Sequence, residues 1–164
     1  MKDIEYWTHD RRFGMRLTCK EMCKLLRRCS NSGMIETGGI LVGWYTETLD
    51  CAMVMHASEE PADSRKGRTC FHRGVAGLQQ WLQKLWCGKR RHYYLGEWHF
   101  HPAGASLPSG TDISEMKSLS KSMGYHCPEP LLIIIGGNPP SIWEMRVFVF
   151  PRESEPLELR KVGT

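Results

Sequence analysis

Apolar and polar positions along the chain follow two different periods, one typical of helices and one typical of strands. Spacings of three and four residues predict three helices, at residues 18–29, 75–88 and 109 to about 123. Apolar runs predict six strands, at residues 12–17, 38–45, 51–58, 91–100, 131–137 and 142–150. The connection at 59–73 is polar and has no predicted element. The chain therefore interleaves helices with strands.

This order of elements predicts an α/β fold with a mixed central sheet flanked by about three helices. Several consecutive strands are joined too tightly for a crossover, so those neighbours pair antiparallel, while a helix between other strands allows parallel pairing. The stretch 91–100 is apolar on both faces and is predicted to lie in the centre of the sheet. We expect a single domain over residues 1–164, with a core at about 12–150 and a loosely held polar tail at 151–164.

Composition and charge narrow the possible function classes. The 164 residues are 41% hydrophobic and 24% charged, as in an ordinary globular domain. No apolar run approaches the roughly 18 residues of a membrane span, and the charged N-terminus is unlike a secretory signal, so we expect a cytoplasmic protein without a membrane partner. The net charge of +4 comes from short, scattered basic clusters, which argues against a nucleic-acid partner. Seven cysteines without a Cys-x-x-Cys pair are predicted to be reduced thiols.

The stretch GEWHFHPAGASLPSGTD, residues 96–112, carries the strongest chemical signal. His99 and His101 are two residues apart at the end of a predicted strand and therefore project from the same face. Ser109 begins a helix, and Asp112 falls in its first turn, where the carboxylate can reach back toward the histidines. Two histidines and one aspartate leave a fourth tetrahedral position open, which is the pattern of a catalytic zinc site.

A hydrolytic metal site also needs a general base, and Glu36 is the candidate. It closely precedes the strand GGILVGWY, whose glycines permit a close approach of the backbone. Glu97 shares a strand face with His99, and two interpretations of it stay open. It either accepts the N–H of an imidazole and orients that ligand, or it pairs with an arginine on a neighbouring strand.

Glu36, His99-x-His101 and, ten intervening residues later, Asp112 resemble the Glu…His-x-His-x10-Asp pattern of the JAMM metalloproteases, also called MPN+ or JAB. The fuller motif is similar to that of the prokaryotic branch, above all to the deconjugating peptidases of bacterial ubiquitin-like conjugation systems, including those of CBASS anti-phage operons. The resemblance covers about residues 12–150. It implies the JAMM/MPN architecture, which is related to that of the cytidine deaminases.

The resemblance also implies a role for each of these residues. His99, His101 and Asp112 would bind zinc, and Glu36 would hold and deprotonate its water. Ser109 would help to stabilise the oxyanion of the tetrahedral intermediate, and the alternative is that it serves only as a helix cap.

The function implied is that of a zinc-dependent isopeptidase or peptidase, which hydrolyses the bond after the C-terminus of a ubiquitin-like or conjugated protein. It would reverse conjugation or process a precursor in bacterial anti-phage defence, with an E1/E2-like enzyme and a nucleotidyltransferase as partners. Eukaryotic relatives carry long insertions, one with a second zinc, where this chain has only residues 59–73 and 124–130, so one zinc per chain is expected. The alternatives are a non-catalytic MPN scaffold module, and a JAB-type hydrolase that acts on a sulfur carrier or resembles RadC.

Overall fold

Ten strands and three helices follow one another in residues 3–163, the part of the chain that the computed structural model describes. The helices are α1 (Cys19–Ser32), α2 (Leu78–Trp86) and α3 (Gly110–Lys121). None of these three is long and apolar enough to cross a membrane. The strands are β1 (Ile4–Trp7), β2 (Gly14–Leu17), β3 (Thr37–Tyr45), β4 (Cys51–Ala57), β5 (Arg65–Lys66), β6 (Phe71–His72), β7 (Tyr93–Pro102), β8 (Leu131–Asn138), β9 (Ile142–Val149) and β10 (Leu157–Val162). Every predicted helix and strand is present, with bounds that differ by a few residues.

Eight of the strands form a closed barrel in the order β1-β10-β9-β8-β7-β3-β4-β2. β2 pairs with β4 and β7 pairs with β8 in parallel, while the other neighbours are antiparallel. The predicted mixed sheet with three helices is thus confirmed, and so is the central place of the 91–100 strand, because β7 lies between β3 and β8. Closure into a barrel is a feature that the sequence pattern does not predict.

The expectation of a loosely held C-terminal tail is wrong for residues 157–162, which form β10. This strand completes the barrel by pairing antiparallel with β9 on one side and with β1 on the other. Leu159 lies opposite Val147, is 1% exposed and belongs to the main apolar core. The charged residues of β10 face solvent, which hides the strand pattern in the sequence.

The polar connection between β4 and α2 contains a small second sheet, in which β5 pairs with β6. Helix α2 begins at Leu78, later than the predicted start at Val75. The Asp63 carboxylate accepts the amide hydrogens of Val75 and Ala76, at 3.1 and 2.9 Å, and so holds these residues out of the helix. The connection is therefore an ordered segment, which becomes relevant at the functional site.

The interior of the barrel holds the main apolar core, and β7 contributes to it from one face. Trp98 and Phe100 point into this core and are at most 1% exposed. Glu97 and His99 alternate with them and lie on the opposite face of the strand, where they are also buried. A second apolar cluster, which includes Met116, holds α3 against that outer face of the barrel. Helix α3 thus covers the outer faces of β8 and β9, next to the outward side chains of β7.

Candidate metal centre

The candidate site lies where β7 ends and α3 begins. In the register of the barrel, His99 lies opposite Gly38 of β3 and Ile134 of β8. His101 follows at the next outward position of β7, and a loop then leads to α3, whose first turn contains Asp112. One side-chain ligand atom from each of His99, His101 and Asp112 lies within 4.8 Å of the other two. The structure thus brings together the three residues that the sequence pattern assigns to a metal ion, and we call them the candidate ligands.

Asp112 is fixed by the N-terminal cap of α3 as well as by His99. The Ser109 hydroxyl accepts the Asp112 amide N–H at 3.1 Å, and the Ser109 amide N–H donates to Asp112 Oδ2 at 2.7 Å. The hydroxyl of Ser109 also donates to Oδ2 at 2.7 Å. The other oxygen, Oδ1, lies 2.7 Å from His99 Nδ1, and His101 Nε2 lies 3.8 Å from Oδ2. The helix start predicted at Ser109 is therefore confirmed, and it takes the form of a capping box that aims the Asp112 carboxylate at the two histidines.

His99 and Asp112 perturb each other's pKa in this buried place. Burial by itself lowers the pKa of His99, but the hydrogen bond to Asp112 and the neighbouring Glu97 carboxylate raise it to about 9. Burial likewise raises the pKa of Asp112, but the hydrogen bonds with His99 and Ser109 hold it well below its usual range. Because a metal ligand must be deprotonated, binding of a metal ion to this site would compete with the proton that His99 and Asp112 share.

The donor set fits zinc. Two imidazole nitrogens and one carboxylate oxygen are the ligands of many catalytic zinc sites, which keep one position open. His101 lies 3.2 Å from the carbonyl of Ala105 through Nδ1, so this nitrogen can donate to the carbonyl while Nε2 faces Asp112. His99 and Asp112 are buried, whereas His101 is half-buried. The candidate ligands are therefore accessible from the side of His101.

Glu36 lies directly before β3, at the edge of the same site. Thr37, the next residue, pairs with Phe100, which places Glu36 beside the end of β7. The amide N–H of Glu36 donates to the carbonyl of Gly67 at 2.8 Å and so fixes this backbone against the β5–β6 turn. Burial raises the pKa of Glu36. The charges of His101 and His99 lower this pKa and that of Asp112 raises it, so that these effects partly cancel. A half-buried carboxylate with a raised pKa is suited to accept a proton.

Two neighbours hold the His99 ring from the side of β3. A Cβ atom at Gly38 would lie 2.5 Å from the Trp98 carbonyl oxygen and 2.9 Å from His99 Cδ2, so only glycine lets the strands approach this closely. Phe71 of β6 packs edge-on against the His99 ring, with centroids 5.4 Å apart and planes at 77°. The close approach predicted from the glycines of this strand is thus confirmed, and it leaves the ring little room to turn.

Sequence reasoning missed Arg73, which directly follows β6. Its Nε and Nη2 atoms lie 2.9 and 2.8 Å from Glu97 Oε1, in an ion pair that is almost fully buried. Glu97 Oε2 lies 3.5 Å from His99 Nε2, which is too long for a well-formed hydrogen bond. Burial by itself raises the pKa of Glu97, but His99 and Arg73 together lower it. Glu97 thus meets both an imidazole and an arginine, and the arginine comes from the polar connection, 24 positions away, where no spacing rule would find it.

Comparisons with known proteins place the chain in a family. Residues 21–148 match the prokaryotic homologs of the JAB domain. The chain is 40% identical over 162 residues to the CD-NTase/cGAS isopeptidase of Enterobacter hormaechei subsp. hoffmannii, with 99% of this chain and 89% of that relative covered. It is 26% identical over 124 residues to the probable metalloprotease y4qB of Sinorhizobium fredii, with 70% and 71% covered. The solution structure of protein DSY2949 from Desulfitobacterium hafniense has a similar fold, with a TM-score of 0.57, 20% identity and coverage of 88% and 87%.

Fold, site and relatives together define the class of protein, a JAB-type hydrolase of the isopeptidase or peptidase kind. The chain belongs to the family of prokaryotic JAB-domain proteins. The resemblance predicted from Glu36, the His-x-His pair and Asp112 is thereby confirmed. The name metalloprotease of one relative and the His–His–Asp group of this chain both indicate a metal site.

Proposed function

We propose that the protein is a zinc-dependent isopeptidase or peptidase that cleaves the bond after the C-terminus of a ubiquitin-like or conjugated protein. The observation that carries the proposal is the convergence of His99, His101 and Asp112 within 4.8 Å of one another, with the Glu36 carboxylate at the edge of the same site. A metallopeptidase needs ligands and a base in one place. We further propose that the chain acts as a single domain, because β1 and β10, from its two ends, pair in the same barrel.

His99, His101 and Asp112 are the proposed ligands of one zinc ion per chain. Zinc with three protein ligands and one open position supplies an ionised water at neutral pH and polarises a bound carbonyl. The chain itself orients the donors before a substrate arrives, since the capping box holds Asp112 and the Ala105 carbonyl holds His101. The half-buried His101 leaves one side open to the substrate.

Glu36 is the proposed general base, and Ser109 is the proposed oxyanion donor. The raised pKa of Glu36 suits its carboxylate to take a proton from the attacking water and to pass it to the leaving amine. Ser109 is exposed, and its hydroxyl accepts the Asp112 amide N–H as a helix cap. The hydroxyl proton, which points to Asp112 Oδ2, can turn toward a substrate carbonyl without loss of that cap.

The choice of substrate is supported by the relative from Enterobacter hormaechei, whose name is CD-NTase/cGAS isopeptidase. By analogy, we propose that the conjugated protein is a nucleotidyltransferase of that kind, attached through its C-terminal carbonyl to a target amine. An E1/E2-like enzyme would form the bond that this hydrolase breaks. A cytoplasmic location and a role in anti-phage defence complete the proposal.

The variant Glu36→Gln tests this function in the full chain. The probe is a CD-NTase from the organism that encodes this protein, fused at its C-terminus to green fluorescent protein. We expect wild-type protein to release the fluorescent domain, as followed on gels. The variant should keep zinc and still bind the fusion, but cleave it roughly 10²–10⁴-fold more slowly, because it lacks the base and retains every ligand.

Glu47→Gln is the matched control, since Glu47 is an exposed carboxylate just beyond the other end of β3. It should cleave at the wild-type rate. Near-normal cleavage by Glu36→Gln would assign the base to another carboxylate, and loss of zinc from that variant would make Glu36 a ligand. A zinc-loaded wild-type chain that releases no fluorescent domain would overturn the proposed substrate class.

A further inference from the structure

Glu97 is a buried carboxylate that no step proposed above uses. It lies on β7 two residues before His99, and its side chain is 5% exposed. Arg73 Nε and Nη2 lie 2.9 and 2.8 Å from Glu97 Oε1, and the Tyr94 hydroxyl donates to the same oxygen at 3.4 Å. These donors gather on Oε1, and Oε2 is left to face His99 Nε2 at 3.5 Å.

A β-bulge in β7 makes this arrangement possible. Tyr94 and Glu97 are three residues apart and would project from opposite faces of a regular strand. The pairing of β7 with β3 shifts between Leu41 and Val42, so that Leu95 is an extra residue in the ladder. The extra residue turns Tyr94 to the same face as Glu97, where its hydroxyl reaches the carboxylate.

The His99 ring lies between two carboxylates, one at each of its nitrogens. Nδ1 lies 2.7 Å from Asp112 Oδ1, on the side of the candidate ligands. Nε2 points the other way, is buried, and has no hydrogen-bond partner within residues 3–163. A metal-binding imidazole usually donates its second N–H to a carboxylate, a carbonyl or water. With Nδ1 on the metal side, Nε2 needs such an acceptor, and Glu97 Oε2 faces it.

We propose that Glu97 is a positioning residue of the metal centre, which accepts the Nε2–H of His99 and thereby keeps the Nδ1 lone pair directed at the metal ion. Arg73 balances the charge of this buried carboxylate and also connects the segment after β6 to the site. The inference rests on the proposed metal-dependent function. It adds a residue that acts on the metal through His99 rather than on the substrate.

A purely structural ion pair between Arg73 and Glu97 is the competing explanation. A pair of that kind affects folding alone, so its replacement by apolar residues of similar volume would leave the metal affinity unchanged. A positioning carboxylate instead makes the metal affinity depend on Glu97 in a chain that is fully folded. Metal affinity therefore separates the two explanations, whereas thermal stability does not.

The test compares zinc affinities of full-length wild type, Glu97→Gln and the double variant Arg73→Met/Glu97→Leu, by competition with a chromophoric zinc chelator at fixed pH. In Glu97→Gln the amide oxygen turns to Arg73, which leaves the amide N–H₂ group facing His99 where an acceptor is needed. We expect both variants to bind zinc about 10- to 100-fold more weakly than wild type. At saturating Co²⁺, the visible absorption of both should shift, because the Nε2–H of His99 has lost its carboxylate acceptor and Nδ1 is then a weaker donor to the metal.

Glu158→Gln is the control for loss of a Glu–Arg ion pair away from the site, because Glu158 pairs with Arg146 at 2.7 and 2.6 Å between β10 and β9, in a pair that is exposed to solvent. This variant should bind zinc as the wild type does. Wild-type affinity and an unshifted Co²⁺ spectrum in the double variant would overturn the role of Glu97. The double variant leaves no unpaired buried charge, so it remains informative if the single variant is unstable. A wild-type chain that binds no zinc would instead overturn the proposed function, so the two failures are distinguishable.

Discussion

The two faces of strand β7 carry opposite kinds of residue one position apart. Trp98 and Phe100 face the barrel interior, belong to the main apolar core and are at most 1% exposed. Glu97 and His99 face outward and are also buried, at 4% exposure each, but their polar atoms lie beside charged partners, Arg73 and Asp112. Burial therefore does not distinguish the two faces of β7. What distinguishes them is the chemistry of the neighbouring side chains, which is apolar on the inner face and includes charged groups on the outer face.

This difference indicates how the molecule separates stability from chemistry. Interior side chains pack at close to crystal density, so Trp98 and Phe100 hold the backbone of β7 in place. His99 lies between them on the same backbone, and His101 follows directly after them. Metal binding requires ligand atoms placed to within about 0.5 Å, and the fixed backbone provides that precision. A change on the inner face should therefore act on the free energy of unfolding, and a change on the outer face on metal content and rate.

His99→Ala should have the largest effect, because it removes a proposed ligand from the outer face. We expect zinc to fall from about one ion per chain to nearly none, and cleavage to be lost. The far-ultraviolet circular dichroism should stay close to that of wild type, since the inner face is unchanged. Metal analysis by mass spectrometry measures the first effect. A variant that keeps its full zinc content would contradict the ligand assignment.

Metal removal should be nearly as damaging as the loss of a ligand, whereas thiol alkylation should be harmless. Burial raises the pKa of Cys29 to about 12, of Cys51 to about 11 and of Cys127 to about 12, so these thiols stay protonated at neutral pH. The exposed cysteines are outside the proposed machinery. Cleavage should be measured after treatment with 1,10-phenanthroline and, separately, with iodoacetamide. Inactivation by iodoacetamide alone would point to a cysteine nucleophile.

Phe100→Ala tests the inner face. The truncation leaves a cavity in the main core, and we expect the free energy of unfolding to fall by about 3–5 kcal/mol. The zinc content of the folded protein should be unchanged, because the candidate ligands are not part of the main apolar core. Urea denaturation and metal analysis of the same preparation provide both numbers. If the folded variant lost its zinc, the two faces would be coupled.

Ser109→Ala should lower the free energy of unfolding by only about 1 kcal/mol, through loss of the two hydrogen bonds that the hydroxyl makes with Asp112 at the α3 cap. If Ser109 also stabilises the oxyanion, kcat should fall roughly 10²-fold, by more than a cap alone explains. Ser109→Thr keeps the cap and the hydroxyl and should recover most of both. An unchanged kcat in Ser109→Ala would leave the helix cap as the sole role of this residue.

The parts of the site that the sequence predicts are those fixed by local periodicity. Strand alternation places His99 and His101 on one face, and a single helical turn brings Ser109 to Asp112. Glu36 is far from these residues in sequence, and its place at the site follows from the pairing of β3 with β7. In the sequence, only its neighbouring glycines and the family resemblance indicate Glu36 as the base.

Features that depend on distant pairing could not be predicted in the same way. β1 has only four residues, and β10 hides a buried Leu159 among exposed charges, yet the two strands pair from opposite ends of the chain to complete the barrel. The contact of Arg73 with Glu97 likewise requires the polar connection to fold back onto β7, and no hydrophobic periodicity in the sequence predicts that contact. Both the β1–β10 pairing and the Arg73–Glu97 contact depend on tertiary structure rather than on local sequence.

The capping box has a consequence for how this family can diverge. Ser109 and Asp112 stabilise the start of α3 whether or not the site is used, so a descendant that abandons catalysis still has reason to keep both. Apart from its approach to the candidate ligands, His101 has one hydrogen bond within residues 3–163, to the Ala105 carbonyl. In such a lineage, we expect His101 to be substituted before Ser109 and Asp112. A conserved Ser-x-x-Asp would then indicate only common descent, and an intact His-x-His would be the better indicator of catalytic activity.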